Sequence, residues 1–82
     1  MTATIEISFY PLQDDYPEVV LHFLEKLKSL TNAEIQTNGM STIVIGPFDT
    51  IWNQLGSLIK HEFAHHASLF VMKVAAGRRE TV

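Results

Sequence analysis

Polar and apolar residues alternate strictly over residues 3–10, with Ile5, Ile7 and Phe9 on one face and Thr4, Glu6, Ser8 and Tyr10 on the other. A period of two predicts a strand with one face in a core, and Pro11 ends it. From Val19 the period lengthens to that of a helix. Val19, Val20, Phe23, Leu24, Leu27 and Leu30 form one stripe, while His22, Glu25, Lys26 and Lys28 fall mostly off it. Asp15, Tyr16, Pro17 and Glu18 supply a cap carboxylate, a proline in the first turn and a glutamate three residues after the cap, so the helix is expected to start there. Thr31 and Asn32 end it.

Two short β-branched runs flank Asn38-Gly39, which predicts a hairpin. A two-residue turn would pair Gln36 with Ser41 and Glu34 with Ile43, mixing polar and apolar side chains on each face. A three-residue loop over 38–40 pairs Thr37 with Ser41, Ile35 with Ile43 and Ala33 with Ile45. One face is then apolar, and the other carries Glu34, Gln36, Thr42 and Val44. Because a slip of one residue reverses every side chain, burial predicts the odd loop or a bulge. Asp49 is the expected N-cap of a second helix burying Ile51, Trp52, Leu55, Leu58, Ile59 and Phe63, and ending near His65. Gly56 within it suggests close packing on the sheet, and Gly46-Pro47 a turn. Residues 68–75 are apolar on both faces but for Lys73, and a polar tail with Arg78 and Arg79 follows from about Gly77.

This order, βαββαβ, predicts a single α+β domain over residues 1–82: a ferredoxin-like sandwich. Its four-stranded antiparallel sheet would have the order 4-1-3-2, with two helices on one face. The second face, expected to hold Ser8, Tyr10, Thr42, Val44 and one apolar row of the last strand, is too apolar to stand in water. A homo-oligomer, dimer or tetramer, formed through the open sheet face or an edge is therefore expected. The length points the same way, since a chain of 82 residues buries only about 60–65% of its unfolded surface.

Composition narrows the function. No cysteine is present, so disulfides and thiolate metal sites are excluded. The net charge of −3, with six Lys and Arg, disfavours nucleic acid as a partner. No apolar run approaches the roughly 20 residues of a membrane span. The opening residues lack the basic and apolar segments of an export signal, and a cytoplasmic location is expected.

His61-Glu62-Phe63-Ala64-His65 matches the H-E-x-x-H pattern, in which two histidines one helical turn apart bind zinc and the glutamate activates water. Phe63 is needed for the core there, and the adjacent His66 and distant His22 are the only further ligands in view. A hydrolase using His61, Glu62 and His65 is thus the remote alternative, and histidine near a helix C-terminus is favoured by the dipole in any case. No nucleophile with its base, and no phosphate-binding glycine loop, is spaced for catalysis. A non-enzymatic protein without a cofactor is expected. Glu6, Ser8 and Tyr10 share a strand face that Asn38, Met40 and Ser41 can approach. Such a patch can hydrogen-bond and stack on a heteroaromatic ring, or else form a solvated or subunit-covered sheet face.

Glu6-Ile7-Ser8-Phe9-Tyr10-Pro11-Leu12 resembles the E-I-S-x-Y-P-L opening of the YkoF-like thiamine-binding proteins. The run from Thr37 through Met40 and Thr42 to Gly46 is similar to their T-x-x-M-x-T signature, and Lys73 to Arg79 gives a weaker echo of K-x-D-x-R. The chain departs from the family pattern at Ile45, Ala75 and Ala76, where many members are acidic. The resemblance implies a ferredoxin-like domain that works as an oligomer and binds thiamine or its hydroxymethylpyrimidine part without converting it. Ser8, Asn38 and Ser41 would supply donors and acceptors to the aminopyrimidine, and Glu6 and the Tyr10 ring would attract the thiazolium cation.

Overall fold

The alternating segment forms β1 (Thr2–Pro11), and the elements that follow are α1 (Tyr16–Lys28), β2 (Glu34–Thr37), β3 (Thr42–Pro47), α2 (Phe48–His65) and β4 (Ser68–Ala76). This computed structural model describes residues 1–12, 14 and 16–79. Asp15, the expected cap of α1, and the last three residues of the tail lie outside them. The strands form one antiparallel sheet in the order β2-β3-β1-β4, which is the ferredoxin-like 4-1-3-2 arrangement read from the other edge. Both helices pack on the face that carries Ala3, Ile5, Ile7 and Val44, to which α1 contributes Phe23 and Leu27 and α2 contributes Ile51 and Leu55. Each larger side chain buried in this way stabilises the fold by about 1.5–3 kcal/mol.

The hairpin register differs from the expected one. Thr37 pairs with Thr42, Gln36 with Ile43, Ile35 with Val44 and Glu34 with Ile45, so the loop has four residues, 38–41, and is neither odd nor bulged. Thr42 and Val44 consequently face the helices, while Ile43 and Ile45 face the other side, the reverse of the expected assignment. Two local facts explain it. Neither Asn38 nor Gly39 has positive φ. Instead the Asn38 side-chain oxygen accepts from the Met40 and Ser41 N–H groups at 2.7 and 3.0 Å, closing the loop as an Asx turn. Second, β3 is an inner strand covered on both sides, with every residue from Thr42 to Ile45 buried, so no polar face was required of it.

The cover over Ile45 comes from the end of the chain. Gly77, at φ +79°, turns the backbone out of β4, and its N–H donates to the Thr2 carbonyl at 2.8 Å. The Thr4 hydroxyl donates to the Gly77 carbonyl and accepts from the Arg79 N–H, each at 2.8 Å. Arg78 then reaches the far edge of the sheet and holds the Glu34 carboxylate with both terminal guanidinium nitrogens, Nη1 at 3.0 Å. Thr4, Ile45 and Glu34 lie side by side on β1, β3 and β2. Residues 77–79 thus form a strap across that end of the open face, and Ile45 beneath it is 2% exposed. The expected solvated tail is, over these residues, part of the fold.

Several expectations for α2 are also corrected. Pro47 is the N-cap and provides no side-chain bond, while Asp49 sits in the first turn, where its charge still suits the helix dipole. Trp52 is 42% exposed and stacks on Phe48, and Phe63 is 58% exposed with its edge on Phe70. The buried position is taken by Glu62, 1% exposed, which accepts from the Lys26 ammonium of α1 at 2.8 Å. A Cβ built on Gly56 would meet nothing within 4 Å, so this glycine marks no close approach to the sheet. Gly46 does: a Cβ there would lie 2.6 Å from the Asn32 carbonyl oxygen and 2.9 Å from Ile51 Cγ2. Gly46 and Pro47 are the last residues of β3 and not a separate turn.

Candidate functional site

The β1–β3 ladder ends where Ile7 meets Thr42, yet β1 runs on to Pro11 with only β4 beside it. Beyond Ile7, the edge of β1 is therefore left without a strand partner, and the four-residue loop stands away from it. The gap is a recess of about 220 Å³. Residues 7–10 form one wall, residues 37–42 the other, and Val20, Phe23 and Leu24 of α1 close it from the helix side. Its volume lies below the roughly 300–1,000 Å³ of pockets that take drug-sized ligands, so it suits one ring with small substituents.

The back of the recess is aromatic. Phe9 stacks on Phe70 with centroids 4.7 Å apart and an angle of 10°, and tilts against Phe23, also at 4.7 Å. Each such pair contributes about 0.5–1.5 kcal/mol beyond its burial, which makes this a firm surface. The mouth is polar. Ser8, Asn38 and Ser41 bring neutral donors and acceptors to it, and in the lining the hydroxyls of Thr37 and the buried Thr42 bond to each other at 3.1 Å. Tyr10 stands at the rim with its ring half exposed, and Met40 projects into water at the loop tip.

The loop is held by its own hydrogen bonds. Its Asx turn is reinforced by the Asn38 N–H, which donates to the Ser41 carbonyl at 3.0 Å. The Ser41 hydroxyl donates to Glu6 at 3.1 Å, and the Ser8 hydroxyl makes a longer contact of 3.4 Å with the Met40 carbonyl. With the Asn38 oxygen engaged, its NH₂ group is the side-chain donor it can offer.

Five of the six residues singled out in the sequence, Ser8, Tyr10, Asn38, Met40 and Ser41, are brought together around this recess. Glu6 is not part of the wall. It lies behind the loop on the open face, bonded to Ser41 and 3.7 Å from the Lys73 ammonium. Phe9, Phe23 and Thr37 were not singled out, since a phenylalanine at a core position of a strand or helix carries no mark of lining a cavity. The signal that finds them is geometric: a strand longer than its partner leaves its last core residue at an open edge. Ile45 and Ala75, where the chain differs from the YkoF-like pattern that it resembles, lie beside Thr4 at the strap end, three residues back along β1 from where the recess begins.

A wider hollow of about 400 Å³ holds the histidines of the H-E-x-x-H segment together with His22, Lys26 and His66. Its carboxylate is already committed, because Glu62 accepts from Lys26 and lies 3.3 Å from His66 Nε2. His65 Nδ1 is 2.7 Å from the His61 carbonyl oxygen, one turn earlier in the same helix. Among the described residues no group of three or more His, Asp or Glu could hold a metal ion. Nor is any described helix long and apolar enough to cross a membrane.

No protein-family model matches the sequence, and no curated protein is significantly similar to it. Solved structures share the fold. A Thermotoga maritima protein provisionally assigned to thiamine biosynthesis or salvage superimposes with a TM-score of 0.82 at 19% identity, covering 94% of this chain and 85% of its own. A Streptococcus pneumoniae protein gives 0.84 at 18% identity, covering 95% and 89%. A domain of unknown function, DUF77, from Bacillus cereus gives 0.75 at 18%, covering 99% and 80%. This chain therefore has the ferredoxin-like α+β fold of these proteins.

Proposed function

We propose that this domain binds thiamine or its hydroxymethylpyrimidine moiety in the recess between β1 and the 38–41 loop, and does so without converting it. The observation that carries the reading is the convergence of Ser8, Tyr10, Asn38 and Ser41 on a pocket of one-ring size with an aromatic back. The YkoF-like resemblance of the same two segments supports it, as does the thiamine-related assignment of a protein with this fold. In this reading an aminopyrimidine lies against Phe9 and Phe23 and exchanges hydrogen bonds with the Asn38 amide and the hydroxyls at the mouth. The thiazolium of thiamine sits toward Tyr10 and the Glu6 side of the loop, where a cation is favoured. The protein is a cytoplasmic binding protein with no cofactor of its own, and neither nucleic acid nor membrane is a partner. Titration calorimetry with thiamine and with hydroxymethylpyrimidine tests this directly. Heat of binding that Tyr10→Ala and Asn38→Ala each diminish supports it, and no heat at millimolar ligand refutes it.

A second reading, assembly of copies of this chain, rests on a separate observation. Leu69 and Val71 of β4 are 54% and 50% exposed and flank Tyr10 and Ser8 on the part of the open face the strap leaves bare. An apolar row of this kind on a sheet face is characteristic of subunit contacts. Homo-oligomerisation is compatible with ligand binding and is part of the proposal. Sedimentation of the protein beside Val71→Glu distinguishes a dimer or tetramer from a monomer.

A further inference from the structure

We infer, resting on the reading above, that the recess selects the unphosphorylated compound and rejects its phosphate ester. The six Lys and Arg of the chain are Lys26, Lys28, Lys60, Lys73, Arg78 and Arg79. None falls in the segments that line the recess, and residues 29–59 contain no Lys, Arg or His at all. His22, on α1, faces the hollow shared with His61 and His65. Lys73, on the open face, is paired with Glu6 at 3.7 Å.

Most of the loop's backbone donors are likewise committed. The N–H groups of Asn38, Met40 and Ser41 are spent within the loop, on the Ser41 carbonyl and the Asn38 side chain, so these successive donors do not converge on an anion. The start of α1 would attract a phosphate through its dipole, but Asp14 and Asp15 precede it and Glu18 lies in its first turn. A phosphate monoester carries a charge of about −1.5 to −2 near neutral pH. Placed in this recess, it meets neutral hydroxyls and finds no cationic side chain in the lining to pair with, in a chain of net charge −3. Like charges brought together in this way cost binding, and the ester should bind about tenfold more weakly or worse.

The test compares hydroxymethylpyrimidine with its monophosphate, and thiamine with thiamine diphosphate, by calorimetry at low and high salt. Selective binding of the parent compounds, with ester affinity rising as salt screens the repulsion, is the expected result. A Met40→Lys variant, which places an ammonium at the exposed loop tip, should narrow the ratio of parent to ester affinity. Esters that bind as tightly as the parents, or more tightly, overturn the inference and leave the site standing. If none of the four compounds binds, the proposed function falls, and this inference with it.

Discussion

The Ser41 hydroxyl donates to the Glu6 carboxylate at 3.1 Å, joining the hairpin loop to a strand 35 residues earlier in the chain. This bond sets how far the loop stands from the open edge of β1, and so the width of the recess between them. Ser41→Ala removes it while leaving the Asx turn intact, because that turn uses the Ser41 backbone. Loss of one such bond costs about 1 kcal/mol of order in the loop. Hydrogen exchange at residues 39–41 should quicken and ligand affinity should fall severalfold, with little change in melting temperature. Glu6→Gln, which keeps an acceptor, should do less.

The strap makes a prediction about pH. Arg78 holds the Glu34 carboxyl below its ordinary value of 4.5, chiefly by hydrogen bonding; desolvation opposes this, and the Arg78 charge adds a smaller lowering. A depressed carboxylate stabilises the fold above the unfolded-state pKa, and that contribution is lost as pH falls through the folded value. The strap should therefore hold at neutral pH and loosen only below the usual carboxylate range. NMR titration of Glu34 should show a low midpoint that returns to the ordinary value in Arg78→Gln, with Thr4 and Ile45 signals moving in step.

Two glycines should respond in opposite directions to alanine. Gly46→Ala forces a methyl against the Asn32 carbonyl and Ile51 and should destabilise the protein by about 1–3 kcal/mol, the usual cost of overpacking. Gly56→Ala enters open space within α2 and should stabilise it by about 0.5–1 kcal/mol through helix propensity. Urea denaturation of the two variants beside the parent protein measures both.

The bond between Lys26 and Glu62 ties α1 to α2 with the carboxylate fully buried. Lys26→Met leaves that charge without its main partner and should cost about 3 kcal/mol or more. The double variant with Glu62→Leu should recover most of the loss. A double-mutant cycle by chemical denaturation separates the pair from its neighbours.

The elements and their order were legible in the sequence because each carries its own period: two over residues 3–10, and 3.6 in both helices. The hairpin register was not. Pairing was inferred from the premise that the hairpin gathers its isoleucines on the helix-covered face, whereas Ile43 and Ile45 are buried on the other face and Ile45 lies under the strap. A strap held by Thr4 and Glu34 depends on contacts more than 40 residues apart in sequence, and nothing in Gly77-Arg78-Arg79 alone distinguishes it from a loose end. Trp52 and Phe63 were assigned to the core by their spacing. The helix instead turns Ile51, Leu55 and Glu62 inward, and a glutamate at a buried position is invisible to a rule that counts apolar residues. For the site, the polar residues of the mouth were legible as a strand face and a turn that could meet. Its aromatic back was not, since Phe9 and Phe23 read as ordinary core.

Chemical-shift mapping with hydroxymethylpyrimidine on ¹⁵N-labelled protein tests the location and the existence of the site together. The account predicts saturable shifts confined to residues 7–10, 20–24 and 37–42, with the strap and the histidine hollow unmoved. Shifts centred on His61 and His65, or none at millimolar ligand, would contradict it.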